Sequence, residues 1–492
     1  MNPNRLLLVT ALVLGMSGQR MLAEESTNEL EVLKQRIEEL DRKVKQLEGQ
    51  KAEQGQAAAA AQEKELQIHE LDQKLRILER QRELDQEAAA EAARAAAQSA
   101  PVLSVGPNGF SVRSADTNFV FSLHGLLQMD SRIFFANGGI LGVDGFILRR
   151  ARPILAGTVY RDFDFLFVPD FGGSAVQIQD AYVNYRYRPE VQLQAGKFKA
   201  PVGLELLQSD AYCYLNERAL ATDLVPNRNI GLELHGDLAG GTVSYAGGIF
   251  NSTQDYNGTT SNQNFDNNPS FIGRLFFLPF KTTSAAGLKG LGLGAGGSYE
   301  VDQASSAALT SGYTTDGQQK FFTYTNGVVG NGTHWRVSPQ GYYYVGPFSA
   351  MGEYAISDQE VRNVPADLTA ELRNTAWEIS SGWVLTGEDA SYNGIVPKRP
   401  FNPRNGDWGA FQIAGRYAQL HVDPDAFPDF SNPGVSASQA RSWAVGMNWY
   451  LNRDIRINAS YSHTAFAGGN GPNATVTKQP EQVFFTRVQL VF

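Results

Sequence analysis

From Asn118 onward the chain breaks into short runs in which apolar and polar residues alternate, and the connections between those runs alternate in length. Sixteen runs read as strands, near 119–134, 146–160, 162–170, 175–188, 190–199, 229–237, 242–250, 270–280, 290–301, 334–344, 347–357, 374–387, 408–421, 440–451, 454–465 and 482–492. Every second connection is tight, as at Arg161-Asp162, Pro189-Glu190, Ala239-Gly241, Val345-Pro347 and Asn452-Arg453. The intervening ones, 200–228, 251–269, 302–333, 358–373, 422–439 and 466–481, are long. Short turns at one end and long loops at the other mark an up-and-down transmembrane barrel, and an even strand count brings both ends of the sheet to the periplasmic side. A large soluble β-protein is the other reading of the same alternation. The connection 387–407, with Pro397-Lys398-Arg399-Pro400, is too long for its predicted short-turn end.

The last run, EQVFFTRVQLVF, sharpens the barrel reading. Phe484, Thr486, Val488 and Leu490 fall on one face and Phe485, Arg487, Gln489 and Val491 on the other, which suits lipid outside and water within. The same parity puts Phe163, Phe165 and Phe167 outward, with Ala181, Val183, Tyr185 and Tyr187, then Trp377, Ile379, Trp383 and Leu385, then Trp443, Val445, Met447 and Trp449. Asp162, Asp164, Asp180, Tyr182 and Asn184 then face inward, as do Arg150, Arg152, Arg186, Arg188, Arg416, Arg456 and Arg487. Sixteen strands leave a lumen wide enough for water.

The segments before the barrel have other compositions. Arg5 followed by the apolar run Leu6 to Met16 reads as an export signal over residues 1–23, since the run is too short to span a bilayer. Residues 24–100 are almost free of Gly, Pro and aromatics. Leu30, Leu33, Ile37, Leu40, Val44 and Leu47 recur at three-four spacing, the seam of an α-helical coiled coil that joins copies of the chain. A second seam, Ile68, Leu71, Leu75 and Leu78, is out of phase with it across Gly49 and Gly55. Residues 101–118 read as a linker and 119–492 as the barrel domain. The predicted fold is thus an all-β transmembrane barrel behind a helical stalk, dimeric or trimeric through that stalk.

Charge and motifs exclude other classes. The stalk holds 18 acidic and 12 basic side chains, and the rest is mildly acidic, so no clustered basic excess points to nucleic acid. Cys213 stands alone, which excludes an intramolecular disulfide. The six histidines form no metal-spaced pair, and neither G-x-S-x-G nor H-E-x-x-H occurs. Gly292 to Gly297 fits G-x-G-x-x-G but lacks the following helix that phosphate cradling needs. No catalytic site, metal or cofactor is expected.

The blocks FILRRARPILAGTVYRDFDFLFVPDFGG, IQDAYVNYRYRPEVQLQAGKFKAPVGLELLQSD, RNIGLELHG, GWVLTGE, PKRPFNP with WGAFQIAGRYAQL, and GMNWYLNRDIRINASYSH together resemble the phosphate-selective porin O and P family. The resemblance implies a sixteen-stranded, trimeric outer-membrane porin with loops folded into the lumen and basic side chains that guide anions. Candidate infolded segments are the stretch after Lys197 and Pro397 to Arg404. Candidate pore-lining or constriction cations are Arg150, Arg152, Arg186, Arg188, Lys197, Lys199, Lys398, Arg399 and Arg404, with a structural salt bridge to Asp162, Asp164, Asp180 or Glu378 as the competing role of the strand residues. Expected partners are outer-membrane lipid, further copies of the chain and small solutes, phosphate among them. A second reading makes the barrel an anchor whose coiled coil tethers the membrane to the cell wall or a periplasmic partner.

Overall fold

A computed structural model describes residues 31–43, 45, 58–106, 109–135, 142–173, 175–252, 254–255, 267–303, 310, 312–469 and 479–492. The predicted signal (1–23), Leu30, Val44 and Leu47 of the first seam, and Gly49 and Gly55 lie outside these residues. The chain divides into two compact units, Met1–Ala100 and Pro101–Phe492.

The first unit is helical. Helix α1 (31–43) carries Leu33, Ile37 and Leu40 as its half-buried stripe. Helix α2 (Ala58–Ser99) carries Ile68, Leu71, Leu75 and Leu78 in the same way and stops before Pro101, which cannot continue a helix. Four-apart ion pairs such as Glu39–Lys43 (3.1 Å) and Glu70–Lys74 (2.6 Å) lie on the solvated faces.

The second unit begins with a hairpin, β1 (Val102–Gly106) and β2 (Gly109–Arg113), within the stretch 101–118 read as a linker. The barrel follows: β3 (Val120–Phe134), β4 (Gly145–Val159), β5 (Phe163–Asp170), β6 (Gln177–Arg188), β7 (Val191–Lys199), a short helix α3 (Leu204–Leu207), β8 (Arg228–Leu238), β9 (Val243–Asn251), β10 (Pro269–Phe277) and β11 (Leu291–Asp302). A small hairpin, β12 (Tyr313–Thr314) and β13 (Lys320–Phe322), precedes β14 (Val328–Val345), β15 (Phe348–Asn363), β16 (Leu368–Val384), β17 (Ala410–His421), β18 (Gln439–Tyr450), β19 (Ile455–Ala467) and β20 (Glu481–Val491). Leaving aside the two hairpins, sixteen antiparallel strands pair with their sequence neighbours, and β20 pairs with β3 from Val491↔Leu126 to Val483↔Phe134. The sheet is closed. β2 uses the remaining edge of β3, at Phe110↔Leu123 to Arg113↔Val120, and Phe492 exchanges backbone hydrogen bonds with Gly125 (2.9 and 3.1 Å) where the two partners of β3 meet.

All sixteen expected strands are present, with one loop overestimated. The connection 358–373 contracts to a turn at 364–367, because β15 and β16 stay paired out to Asn363↔Leu368. The wall alternates as its parity requires. Ile379, Trp383, Val445, Met447 and Val488 stay exposed, whereas Arg416, Arg456 and Arg487 are buried inside. Residues that stay apolar and exposed around a closed sheet are solvated by hydrocarbon.

Two loops fill one side of the lumen. Residues 200–227 lie inside against the wall from β14 through β20 to β4, and this wall supplies the donors that their carbonyls lack. Gln340 donates to Val202 (2.6 Å), Arg456 to Cys213 (3.0 Å), Asn448 to Tyr214 (2.9 Å), Arg487 to Asn216 (2.6 Å) and Arg416 to Glu217 (2.8 Å). The β12–β13 hairpin is held beside them: Arg416 and Ser442 donate to Asp316 (2.9 and 3.0 Å), and Thr315 donates to Glu481 (2.7 Å).

A charge on the outer face tests the lipid assignment. Val445→Arg, near the middle of β18, is expected to destabilise the barrel by about 2–4 kcal/mol, read as a lower temperature of the heat-induced mobility shift on gels.

Candidate functional site

The infolded segment 200–227 is pinned by charge. Asp210 meets Arg150 (3.1 Å), Arg152 and Arg218. Glu217 meets Arg149 (2.7 Å), Arg132 (3.0 Å) and Arg487 (3.3 Å). Burial alone would raise both acids, but the surrounding guanidiniums outweigh it and hold Asp210 well below the usual carboxylate range and Glu217 low as well. Arg487 also binds Asp130 through two bonds (2.6 and 2.8 Å), and Arg152 binds Asp170 (2.6 Å). Six arginines therefore face four carboxylates.

What the loops leave open runs along β4 to β10. Towards the long-loop end lies a cavity of about 230 Å³ lined by Arg149, Arg150, Arg152, Arg218 and Arg228, with Asp170 and Asp210 as its carboxylates. Towards the short-turn end lies a vestibule of about 430 Å³ lined among others by Asp180, Tyr182, Phe198, Lys199, Glu233 and Arg274. Arg228 of the first cavity and Asp180 of the second form a two-bond pair (3.0 and 3.1 Å). That buried pair stands where the two cavities adjoin.

The expected cations separate into three groups. Arg150 and Arg152 line the outer cavity, and each is also ion-paired. Lys199 lines the vestibule while its Nζ donates to the carbonyls of Leu207 (3.3 Å) and Gln208 (2.7 Å), tying the end of α3 to the wall. Lys197 is buried on β7 between Ala181 and Ile230 of the neighbouring strands. Arg186 is half exposed and paired with Asp164 (2.7 Å), and the guanidinium of Arg188 lies over the ring of Tyr187 at 5.2 Å. The connection after β16 enters the lumen through Tyr392, whose hydroxyl donates to Leu204 (2.6 Å) and whose ring stacks on Tyr342. Its cations do not accompany it: Lys398, Arg399 and Arg404 are exposed, Lys398 donating to Gly387 (2.7 Å) and Arg399 pairing with Asp407 (3.3 Å).

Arg149 escapes a strict two-residue parity. The register of β3 on β4 slips between Gln128↔Arg150 and Met129↔Leu148, so Arg149 has no opposite residue. A bulge of this kind lets two successive side chains reach one side, and Arg149 joins Arg150 on the lumen. Arg218 and Arg228 were missed for another reason: one lies in a loop and the other opens a strand, where alternation carries no signal. Among the described residues, Glu300, Asp302 and His334 are close enough to suggest a cation site, but Arg336 already supplies positive charge there, donating to Glu300 (2.8 Å) and to Asp255 (2.6 Å).

The model of the phosphate-selective porin O and P family matches residues 121–492. The chain belongs to this family. It is an outer-membrane porin, a water-filled channel for small solutes. Porin O of Pseudomonas aeruginosa is 26% identical over 425 residues, covering 78% of this chain and 91% of that protein. Solved structures with a similar course include the outer membrane channel DcaP of Acinetobacter baumannii (10% identical, 78% of this chain and 99% of that one, TM-score 0.48) and an anion-selective porin from Comamonas acidovorans (10%, 76% and 100%, TM-score 0.45).

The pairs that Asp210 and Glu217 make with arginines predict how the porin answers acid. Carboxylates whose values are depressed by folding contribute their stability above the unfolded value, about 4, and lose it as pH falls through the folded one. The segment 200–227 is therefore expected to stay seated from pH 7 to pH 5, checked by the resistance of the folded barrel to protease across that range. Asp210→Asn leaves three guanidiniums short of a counter-charge, a loss of about 3–5 kcal/mol for a broken buried pair, and is expected to give larger, noisier conductance steps at neutral pH.

Proposed function

We propose that this porin favours anions, phosphate among them, and that the Arg228–Asp180 pair is the point of selection. The observation that carries this reading is the outer cavity, where five arginines face two carboxylates in a confined space. Cations fixed around a narrow aqueous path attract anions whatever the net charge of the chain. Because each guanidinium is already oriented by a carboxylate, a passing oxyanion meets donors in place, and it exchanges water for charge-assisted hydrogen bonds without a large ordering cost. Among the earlier candidates, Arg150, Arg152 and Lys199 support this path directly. Lys197, Arg186 and Arg188 are proposed as auxiliary cations, and Lys398, Arg399 and Arg404 as charges that act from exposed positions.

The remaining assignments extend the same reading. Residues 1–23 serve as export signal, 24–100 as a periplasmic coiled coil, and the porin works as a homo-oligomer, a trimer by analogy with the family. Leu30, Leu33, Ile37, Leu40, Val44 and Leu47 would form the oligomerising seam. No catalytic step is assigned to any residue.

The reversal potential in a planar bilayer under a salt gradient tests the selectivity, followed by titration with phosphate. An anion-selective sign is expected, with chloride current blocked at millimolar phosphate or below, and a cation-selective sign would refute the proposal. Arg228→Gln is expected to weaken the block about tenfold, the scale of one charge-assisted hydrogen bond. Removing residues 24–97 is expected to leave single-channel conductance in place and to lower the heat resistance of the oligomer on gels, whereas unchanged oligomer stability would exclude the seam as a joining element.

A further inference from the structure

The vestibule towards the short-turn end brings unmatched charges of both signs to one open space. Several inward carboxylates elsewhere meet arginines: Asp130 meets Arg487, Asp164 meets Arg186, Asp170 meets Arg152, and Asp316 meets Arg416. Others, such as Glu353, Glu378 and Glu481, accept from backbone or hydroxyl donors of the packed loops and strands. Glu233 on β8 is 7% exposed, and its Oε2 has no hydrogen-bond partner among the described residues. Its neighbours across the sheet are Gln194 and Gly248, neither of which carries charge. In the same cavity, Lys199 is held only by backbone carbonyls, while Arg274 donates to Gln340 (2.9 Å) and lies 4.3 Å over the ring of Phe276. Neither has a carboxylate within ion-pair distance among the described residues.

The other ionisable groups there are already engaged. Asp180 is bound to Arg228, Asp237 accepts from Ser244 (2.5 Å), and His235 contacts Asn184 (3.0 Å). Among the described residues, two cations without a close ion-pair partner and one acid without a donor thus face a space of about 430 Å³ with Tyr182, Phe198 and Tyr245 in its wall. A buried carboxylate of this kind is costly until a donor arrives. A bare anion would satisfy Lys199 and Arg274 but leave Glu233 as it is.

We propose that the vestibule is a subsite for small zwitterions, solutes that present an anionic group to Lys199 and Arg274 and an ammonium group to Glu233. This rests on the anion-favouring reading of the channel and narrows its solute class to phosphorylated amines and related compounds. The volume admits an organic body between the two charges, and the aromatic side chains face it.

Three probes separate the possibilities on the full-length protein in a planar bilayer: inorganic phosphate, ethyl phosphate, and phosphoethanolamine, which carries the ammonium group on the same two-carbon ester. Phosphoethanolamine is expected to block chloride current at about one-tenth the concentration of ethyl phosphate, the scale of one charge-assisted bond, and the ratio is expected to fall to about one in Glu233→Gln. Equal block by the two organic probes in the native protein would overturn the zwitterion subsite while leaving anion preference intact, and this arm needs no variant to fold. A ratio that survives in Glu233→Gln would place ammonium recognition elsewhere and also overturn it. If none of the three probes, phosphate included, alters the current, the anion reading fails as well.

Discussion

In hydrocarbon a peptide N–H has no water to fall back on, and the closed ring of strands follows from that deficit. Sixteen strands satisfy one another around a ring, and the ring is complete only because β20 finds β3. The junction is economical with the edge of β3. One part of that strand serves β20, the other serves β2, and Phe492 spans the gap by bonding to Gly125. A side chain at position 125 would run into the ring of Phe492, so glycine is what lets the chain end lie flat there.

The same accounting governs the interior. A loop drawn into a barrel brings unpaired carbonyls with it, and here the wall opposite is a bank of arginine, asparagine and glutamine donors. The acids of the loop, Asp210 and Glu217, then organise the arginines on their other side into the lining of the open channel. The proposed anion guidance would thus be a second use of guanidiniums whose first is structural ion pairing. A guanidinium has five donors, enough to bind a carboxylate and still offer N–H groups to a solute. Which half of the lumen is filled and which conducts is decided by where the donors lie.

Much of the fold was legible because lipid outside and water inside impose a period of two on every strand. Phe163, Trp383 and Val445 announced the outer face, and Arg416, Arg456 and Arg487 the inner. The site was less legible. Parity located Arg150 and Arg152 but passed over Arg149, since a bulge leaves no trace in a hydropathy pattern. Loop residues Asp210, Glu217 and Arg218 carry no periodic signal, and their importance arises from contacts with distant strands. Proline and charge made 358–373 read as a loop, whereas cross-strand pairing carries β15 and β16 well beyond the expected ends. The run Pro397 to Arg404 was conspicuous for its basic residues, yet those cations are exposed while Tyr392 of the same connection reaches Leu204 in the lumen.

Closure also sets an order of events. The side chains of Gln128 and Gln489 are joined by a hydrogen bond of 2.7 Å across 361 positions of sequence. Contacts so far apart repay their chain entropy only after everything between them has been laid down. Until then the nascent sheet has two raw margins, β3 and β20, each able to template against a stranger. The Arg487 to Asn216 and Arg416 to Glu217 bonds lie inside the finished ring and join the loop to strands that are far from it in sequence. A chain of this design becomes a pore in one late, cooperative step, and before that step it depends on its surroundings to keep its margins apart.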